Sequence, residues 1–401
     1  MDEQPEPADV PAPTQTRRNR GRRWCIPPAI LREPAELLEA SHVLDEVRGE
    51  LGLLLWQSVR DVTLWAALEE AGRRGLFAAP GARARLGLLP AAGGERLLEV
   101  PLTTLAALVG APDAAVAPVV TLACLEVARW AEARGATGTA LSFAQAGALA
   151  DPEDPEAALE VAELAVRARR DARAETWLRR TVGLARRAGA WDAYAAAYVG
   201  LGTVYARRAQ PGPARRFLVK ALRAARRHGL GERRGDALVC LFRIARDAGD
   251  AAEAERFARG AVRAYRRAHP AVPGVLHDLA ALWVARDDFA RALPLLQRLL
   301  PGRTDPAARV VTLSLAARAA AGLGERRVFE EAWAAAWALL RRLDDAEIPP
   351  ATLVELARAA AVVKDWPRME QAVRHASGAA ARRDAPPLDL ERLFGPRPGG
   401  G

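Results

Sequence analysis

The chain has 401 residues, half of them hydrophobic, with 5% aromatics and a formal net charge of +9. That is ample apolar material for a large core, and the Ala, Leu and Arg that dominate are good helix formers, which argues against a β-rich fold. The basic balance is almost all arginine, Lys220 and Lys364 being the only lysines; it is compatible with anionic partners, although most charge on helices is simply solvated.

Residues 1–33 open on Pro, Glu and Asp, continue into the Arg-rich run Arg17-Arg18-Asn19-Arg20-Gly21-Arg22-Arg23, and are expected to be a disordered tail. No aromatic residues are interleaved with those arginines for base stacking. The acidic start lacks the apolar stretch of a signal peptide, and no run of about 18 apolar residues marks a membrane span. The three cysteines, Cys25, Cys124 and Cys240, match neither disulfide nor metal spacing. A reducing compartment, and hence the cytoplasm, is expected.

Residues 34–110 read as a helical N-terminal cap region. Leu51, Leu55, Val59, Val62 and Trp65 form one stripe, predicting a helix that runs through Leu68 to Gly72 or Gly75. A stretch broken by Gly and Pro follows, and Pro101 is expected to open a short helix ending near Gly110. The alternative is a degenerate helix-turn-helix that contacts nucleic acid, which would need a basic recognition face on one exposed helix.

From 111 to 383 the pattern repeats. A landmark opens each second helix at Ala140, Ala174, Ala214, Ala254, Ala292, Phe329 and Met369. Seven first helices carry the pairs Val127-Ala128, Val161-Ala162, Leu201-Gly202, Leu241-Phe242, Leu279-Ala280, Ala316-Ala317 and Leu356-Ala357. Turns are marked by Gly135, Gly212, Gly249-Asp250, Asp287-Asp288, Gly324 and Lys364-Asp365, and Asp154-Pro155 and Asp305-Pro306 read as helix starts. In Tyr194–Gly229, two helices are predicted around the turn Gln210-Pro211-Gly212. The first presents Tyr198, Leu201, Gly202 and Tyr205, the second Ala214, Leu218, Ala221 and Leu222. This unit resembles a tetratricopeptide repeat. The resemblance implies an all-α, right-handed superhelical solenoid of antiparallel helix pairs, with about seven degenerate repeats. Phe242 departs from it, standing where the family prefers a small residue. Residues 384–401 are a Pro- and Gly-rich tail, with an apolar patch at Leu388, Leu390, Leu393 and Phe394 expected to cover the last helix.

No catalytic constellation emerges. The five histidines lack metal-ligand spacing, none of the five serines sits in Gly-x-Ser-x-Gly, and Gly200-Leu201-Gly202 lacks both the third Gly and the strand of a dinucleotide fingerprint. A non-enzymatic scaffold, with no cofactor and no metal, is expected. The resemblance implies a concave groove lined by first helices. Carried over residue by residue, it places Arg129 and Glu132, Glu163 and Arg167, Thr203 and Arg207, then Arg243, Arg246 and Asp247 in that groove. His277 and Ala281, Ser314 and Arg318, and Arg358 complete the wall. Because a guanidinium holds a carboxylate with two parallel bonds, an acidic protein or peptide is the expected partner. The alternative is a peptide-sensing regulator whose N-terminal region contacts nucleic acid.

Overall fold

A computed structural model describes residues 41–77, 79–92, 95–266, 268–343, 348 and 350–381. The expectations for 1–33 and 384–401 lie outside these residues, as does Cys25. Among the described residues there are helices and turns and no strand.

Five helices come first: α1 (Ser41–Glu46), α2 (Gly49–Ala66), α3 (Glu70–Arg73), α4 (Ala79–Leu88) and α5 (Arg96–Gly110). The stripe of α2 is buried as expected, with Leu55, Val59, Val62 and Trp65 at 0% exposure. The helix stops earlier than its apolar pattern, at Ala66. Arg73 explains the stop: its guanidinium lies 3.7 Å over the Trp65 ring and its Nε donates to the Trp65 and Leu68 carbonyls. A cation on the last carbonyls of a helix satisfies groups that have no partner within it. Pro101 does not open α5 but sits inside it. Its missing N–H would have bonded the carbonyl of Leu97, a highly exposed residue.

Seven helix pairs follow. They are α6 (Ala117–Ala133) with α7 (Thr137–Ala150), α8 (Pro155–Arg167) with α9 (Asp171–Ala188), α10 (Trp191–Arg207) with α11 (Pro211–Arg227), and α12 (Gly231–Asp247) with α13 (Ala251–Ala264). Then come α14 (Val272–Ala285) with α15 (Phe289–Leu299), α16 (Pro306–Leu323) with α17 (Arg326–Leu340), and α18 (Pro350–Val362) with α19 (Trp366–Ala381). All seven first-helix pairs are buried, as are six of the seven second-helix landmarks; Met369 is half-buried against the same core. By contacts the chain divides into two compact units. Among the described residues, one takes those from Ser41 to Leu164 with Arg179–Gly189, the other Ala165–Leu178 with those from Ala190 to Ala381.

The turn chemistry is mostly as the residues dictate. Asp305 accepts from the Ala308 N–H at 2.7 Å and Asp250 from Glu253 at 2.9 Å, each capping a helix start. Gly324 takes φ +73° after α16. In the unit from Tyr194, however, the left-handed residue is Ala209, at φ +55°, and not Gly212. Pro211, with its φ fixed near the helical value, is the first residue of α11 and draws Gly212 into the helix.

Arginine stitches neighbouring repeats together. Glu95 accepts from the Trp130 indole at 3.1 Å and from Arg134 at 2.5 Å, while Arg134 lies over the Trp130 ring. The arrangement recurs twice. Glu175 takes the Tyr205 hydroxyl at 2.7 Å and Arg208 at 2.5 Å; Glu255 takes the Trp283 indole at 3.2 Å and pairs with Arg291. Each is a charge-assisted bond reinforced by a cation on a ring face. The Glu95 carboxyl is held below its ordinary range by the Trp130 hydrogen bond, against some burial, with Arg134 pulling the same way. For Glu255, burial pushes upward, but Arg291 and Trp283 outweigh it and the net shift is down.

Candidate functional site

The expected groove residues separate into those that hold the fold and those that line a recess. In the first unit, Arg129 is exposed and pairs with Glu160 at 3.3 Å. Glu132 and Glu163 are half-buried; Arg167, at the end of α8 and already in the second unit, is exposed. In the second unit, Thr203 donates back to the Val199 carbonyl and lies 3.5 Å from the Cys240 sulfur. Arg207 is pinned, donating to the Val166 carbonyl at 2.7 Å and pairing with Asp171. Arg318 pairs with Asp287 at 3.1 Å and lies over the Phe289 ring. Ser314 is buried and bonded to the Val311 carbonyl, Ala281 is half-buried, and Arg358 pairs with Glu355 on its own helix.

Arg243 and His277 come together. They line a recess of about 470 Å³ formed by α12, α14 and α16, the first helices of repeats four to six. Val239, Val275 and Val311 give it apolar walls; Tyr265, Asp278 and Arg303 add polar groups. Arg243 is exposed and forms no ion pair among the described residues. His277 Nε2 and Arg303 Nε are buried without a hydrogen-bond partner. Such donors or acceptors carry a desolvation cost of about 1–3 kcal/mol until a partner arrives. Burial pushes the Asp278 carboxyl up, but His277, Arg243 and Arg246 pull it further down, so it remains ionised at neutral pH. Its Oδ1 is 3.6 Å from His277 Nδ1. Arg246 itself pairs with Asp247 at 2.9 Å on the exposed edge of α12. Tyr265 donates to Asp236 at 2.7 Å, and that bond together with burial keeps its phenol protonated.

Tyr265, Asp278 and Arg303 were not legible as site residues. Tyr265 and Arg303 follow second-helix elements, where the repeat pattern says nothing about the groove. Asp278 had one signal, its adjacency to His277. Chemically, the recess offers cations, one carboxylate and apolar walls, which suits recognition. No group of three or more His, Cys, Asp or Glu side chains able to hold a metal occurs among the described residues. Cys124 and Cys240 are thiols whose burial pushes them up, away from the reactive thiolate form. In the N-terminal helices, Arg85 of α4 is committed to Asp61 through two bonds of 2.7 and 3.0 Å, leaving Arg83 as the exposed cation of that helix. No described helix is long and apolar enough to cross a membrane.

No family model matches the sequence, and no curated protein matches it. Solved structures do. Aspartyl phosphate phosphatase F from Bacillus subtilis is 11% identical, over 90% of this chain and 96% of its own, with a TM-score of 0.50. The apo form of RapI is 12% identical, over 66% of this chain and 98% of its own, also at 0.50. A putative kinesin light chain from Podosopora anserina with nearly identical TPR-like repeats is 19% identical over 48% of this chain and 97% of its own, at 0.40. At such identities the likeness is one of fold. The chain has the tetratricopeptide-like fold of stacked helix pairs that its landmarks describe.

Proposed function

We propose that this chain is a non-enzymatic repeat scaffold that binds a protein or peptide on the first-helix side of repeats four to six. An acidic group of the partner would be held by Arg243, with Arg246 beside it. One observation carries this: the recess gathers an unpaired exposed guanidinium and two buried nitrogens without partners against valine walls. At the other expected groove positions Arg129, Arg207, Arg318 and Arg358 close ion pairs within the protein. Pockets of a few hundred Å³ with apolar walls and a few convergent polar groups are the usual form of a recognition site. Asp278 narrows the choice of partner. Its fixed negative charge beside Arg243 favours a segment carrying both an acid and a donor over a uniformly acidic one.

An immobilised array of short peptides with varied charge, probed with the wild-type protein and with Arg243→Glu/Arg246→Glu, tests the proposal. Circular dichroism establishes that both remain helical. Acidic peptides retained by the wild type and weakened at least tenfold in the variant are the expected result. Equal retention by both proteins, or no retention of any peptide, overturns it.

A further inference from the structure

We infer that the exposed face of α11 is a binding surface for the phosphate backbone of duplex nucleic acid, independent of the recess. Arg216, Lys220, Arg223 and Arg227 are spaced by four, three and four residues and are all exposed. That spacing places them on one narrow stripe, about 16 Å long at 1.5 Å per residue. The opposite face, with Ala214, Leu218, Ala221 and Ala225, is buried in the stack. None of the four cations has an ion pair among the described residues. Lys220 lies 5.2 Å over the Tyr198 ring, which leaves its charge uncompensated.

The surroundings make this stripe unusual within the molecule. Residues 194–229 contain no Asp or Glu. The acids on the flanking second helices are already engaged: Asp171 by Arg207, Glu175 by Arg208, Glu253 by Arg215 and Arg256, and Glu255 by Arg259 and Arg291. On α11 Arg215 is neutralised across the repeat boundary by Glu253, and the four cations of the stripe are not.

Its chemistry selects the partner class. The centre of a protein–protein interface needs a buried aromatic or apolar anchor, and the stripe offers only Val219, 38% exposed. Insertion into a membrane surface needs an exposed apolar helix face, and that of α11 is inside the core. A surface of cations with nothing else fits a ligand bound through charge alone. Arginine is well matched to phosphate, and with no exposed aromatic side chain on the stripe to stack on bases the surface should favour duplex over single strand and read no sequence.

Fluorescence anisotropy of the full chain with a labelled 30-base-pair DNA duplex, titrated across salt concentrations, provides the test. The comparison is between wild type, Arg216→Gln/Lys220→Gln/Arg223→Gln/Arg227→Gln, and Arg17→Gln/Arg18→Gln/Arg20→Gln/Arg22→Gln/Arg23→Gln. Loss of four phosphate contacts should make the slope of log K against log salt shallower by about 3 to 4 and weaken binding at least tenfold at low salt. Arg216→Gln/Arg223→Gln, which spares Lys220 on its rings, should give about half that change, and thermal melting checks folding throughout. An unchanged slope in the α11 variants, binding lost only in the 17–23 variant, or equal affinity for polyglutamate would each overturn the inference. The last outcome would assign the stripe to acidic proteins.

Discussion

In repeat three, α10 brings Gly202 against α11 so closely that a Cβ there would lie 2.6 Å from Leu218 side-chain atoms. At the equivalent register of repeat four, α12 carries Phe242 and α13 carries Ala258, both fully buried. One repeat pairs a missing side chain with a large one; the other pairs a large one with a small one. The buried residues of α13 are all alanines, Ala254, Ala258 and Ala261, so Phe242 supplies the volume that its partner helix lacks. Phe242 is therefore a compensated exchange within an unchanged fold, because close-packed interiors conserve total volume more strictly than identity. The two repeats differ in charge at the same register too. Thr203 and Arg207 of repeat three are bonded inside the stack, whereas Arg243 of repeat four faces the recess. Which first-helix arginines remain unbonded thus differs from repeat to repeat.

The comparison is broken most severely at its bulky member. Phe242→Ala leaves a cavity in a core with only alanine opposite, and unfolding should lose about 3–5 kcal/mol. Gly202→Phe should be comparably harmful by itself, since its side chain would overlap Leu218. Combined with Leu218→Ala, which transplants the repeat-four solution into repeat three, it should recover at least about 1 kcal/mol of the summed losses. Additive losses in chemical denaturation would show that the two repeats are not related by this exchange.

Smaller effects sharpen the difference in charge. Arg207→Ala removes a bonded guanidinium that is largely shielded and should cost about 1 kcal/mol in stability. Arg243→Ala should leave the melting temperature within about 1 °C, as expected of a surface change far below that cost, and lower peptide retention instead. A reversed outcome in paired melting and binding experiments would exchange their roles.

The smallest effect concerns pH. Glu255, on α13, stands at the register of Arg215 on α11, and its folded-state carboxyl lies below the ordinary 4.5. A depressed carboxyl contributes stability that is complete above the unfolded value and is lost as pH falls through the folded value. Glu255→Gln should therefore melt below wild type at pH 7, and the gap should close at pH values under about 4.5. A gap constant across that window would mean that the Arg291–Glu255–Trp283 contact contributes through packing alone.

The seven first-helix pairs and the second-helix landmarks were legible because burial in an antiparallel helix pair imposes a period on small and large side chains, and a period survives in one dimension. Caps such as Asp305 were legible because their bonds span three residues. Where a property depended on a competing local choice, the sequence misled. The left-handed residue fell on Ala209 because Pro211 began the helix first, and α2 ended at Ala66 because Arg73 folded back onto it. The recess was legible only in part: Arg243 and His277 stood among the expected groove residues, whereas Tyr265, Asp278 and Arg303 did not. Arg243 lies on α12, His277 and Asp278 on α14, and Tyr265 and Arg303 in the segments that follow α13 and α15, and which arginines are bonded depends on acids 31 to 41 residues away in examples such as Arg318–Asp287 and Arg233–Asp192. Sequence by itself determined the repeat, since that rests on local periodicity and volume. Only the tertiary structure decided which charges remain available, because pairing across repeats depends on how neighbouring helices are set against one another.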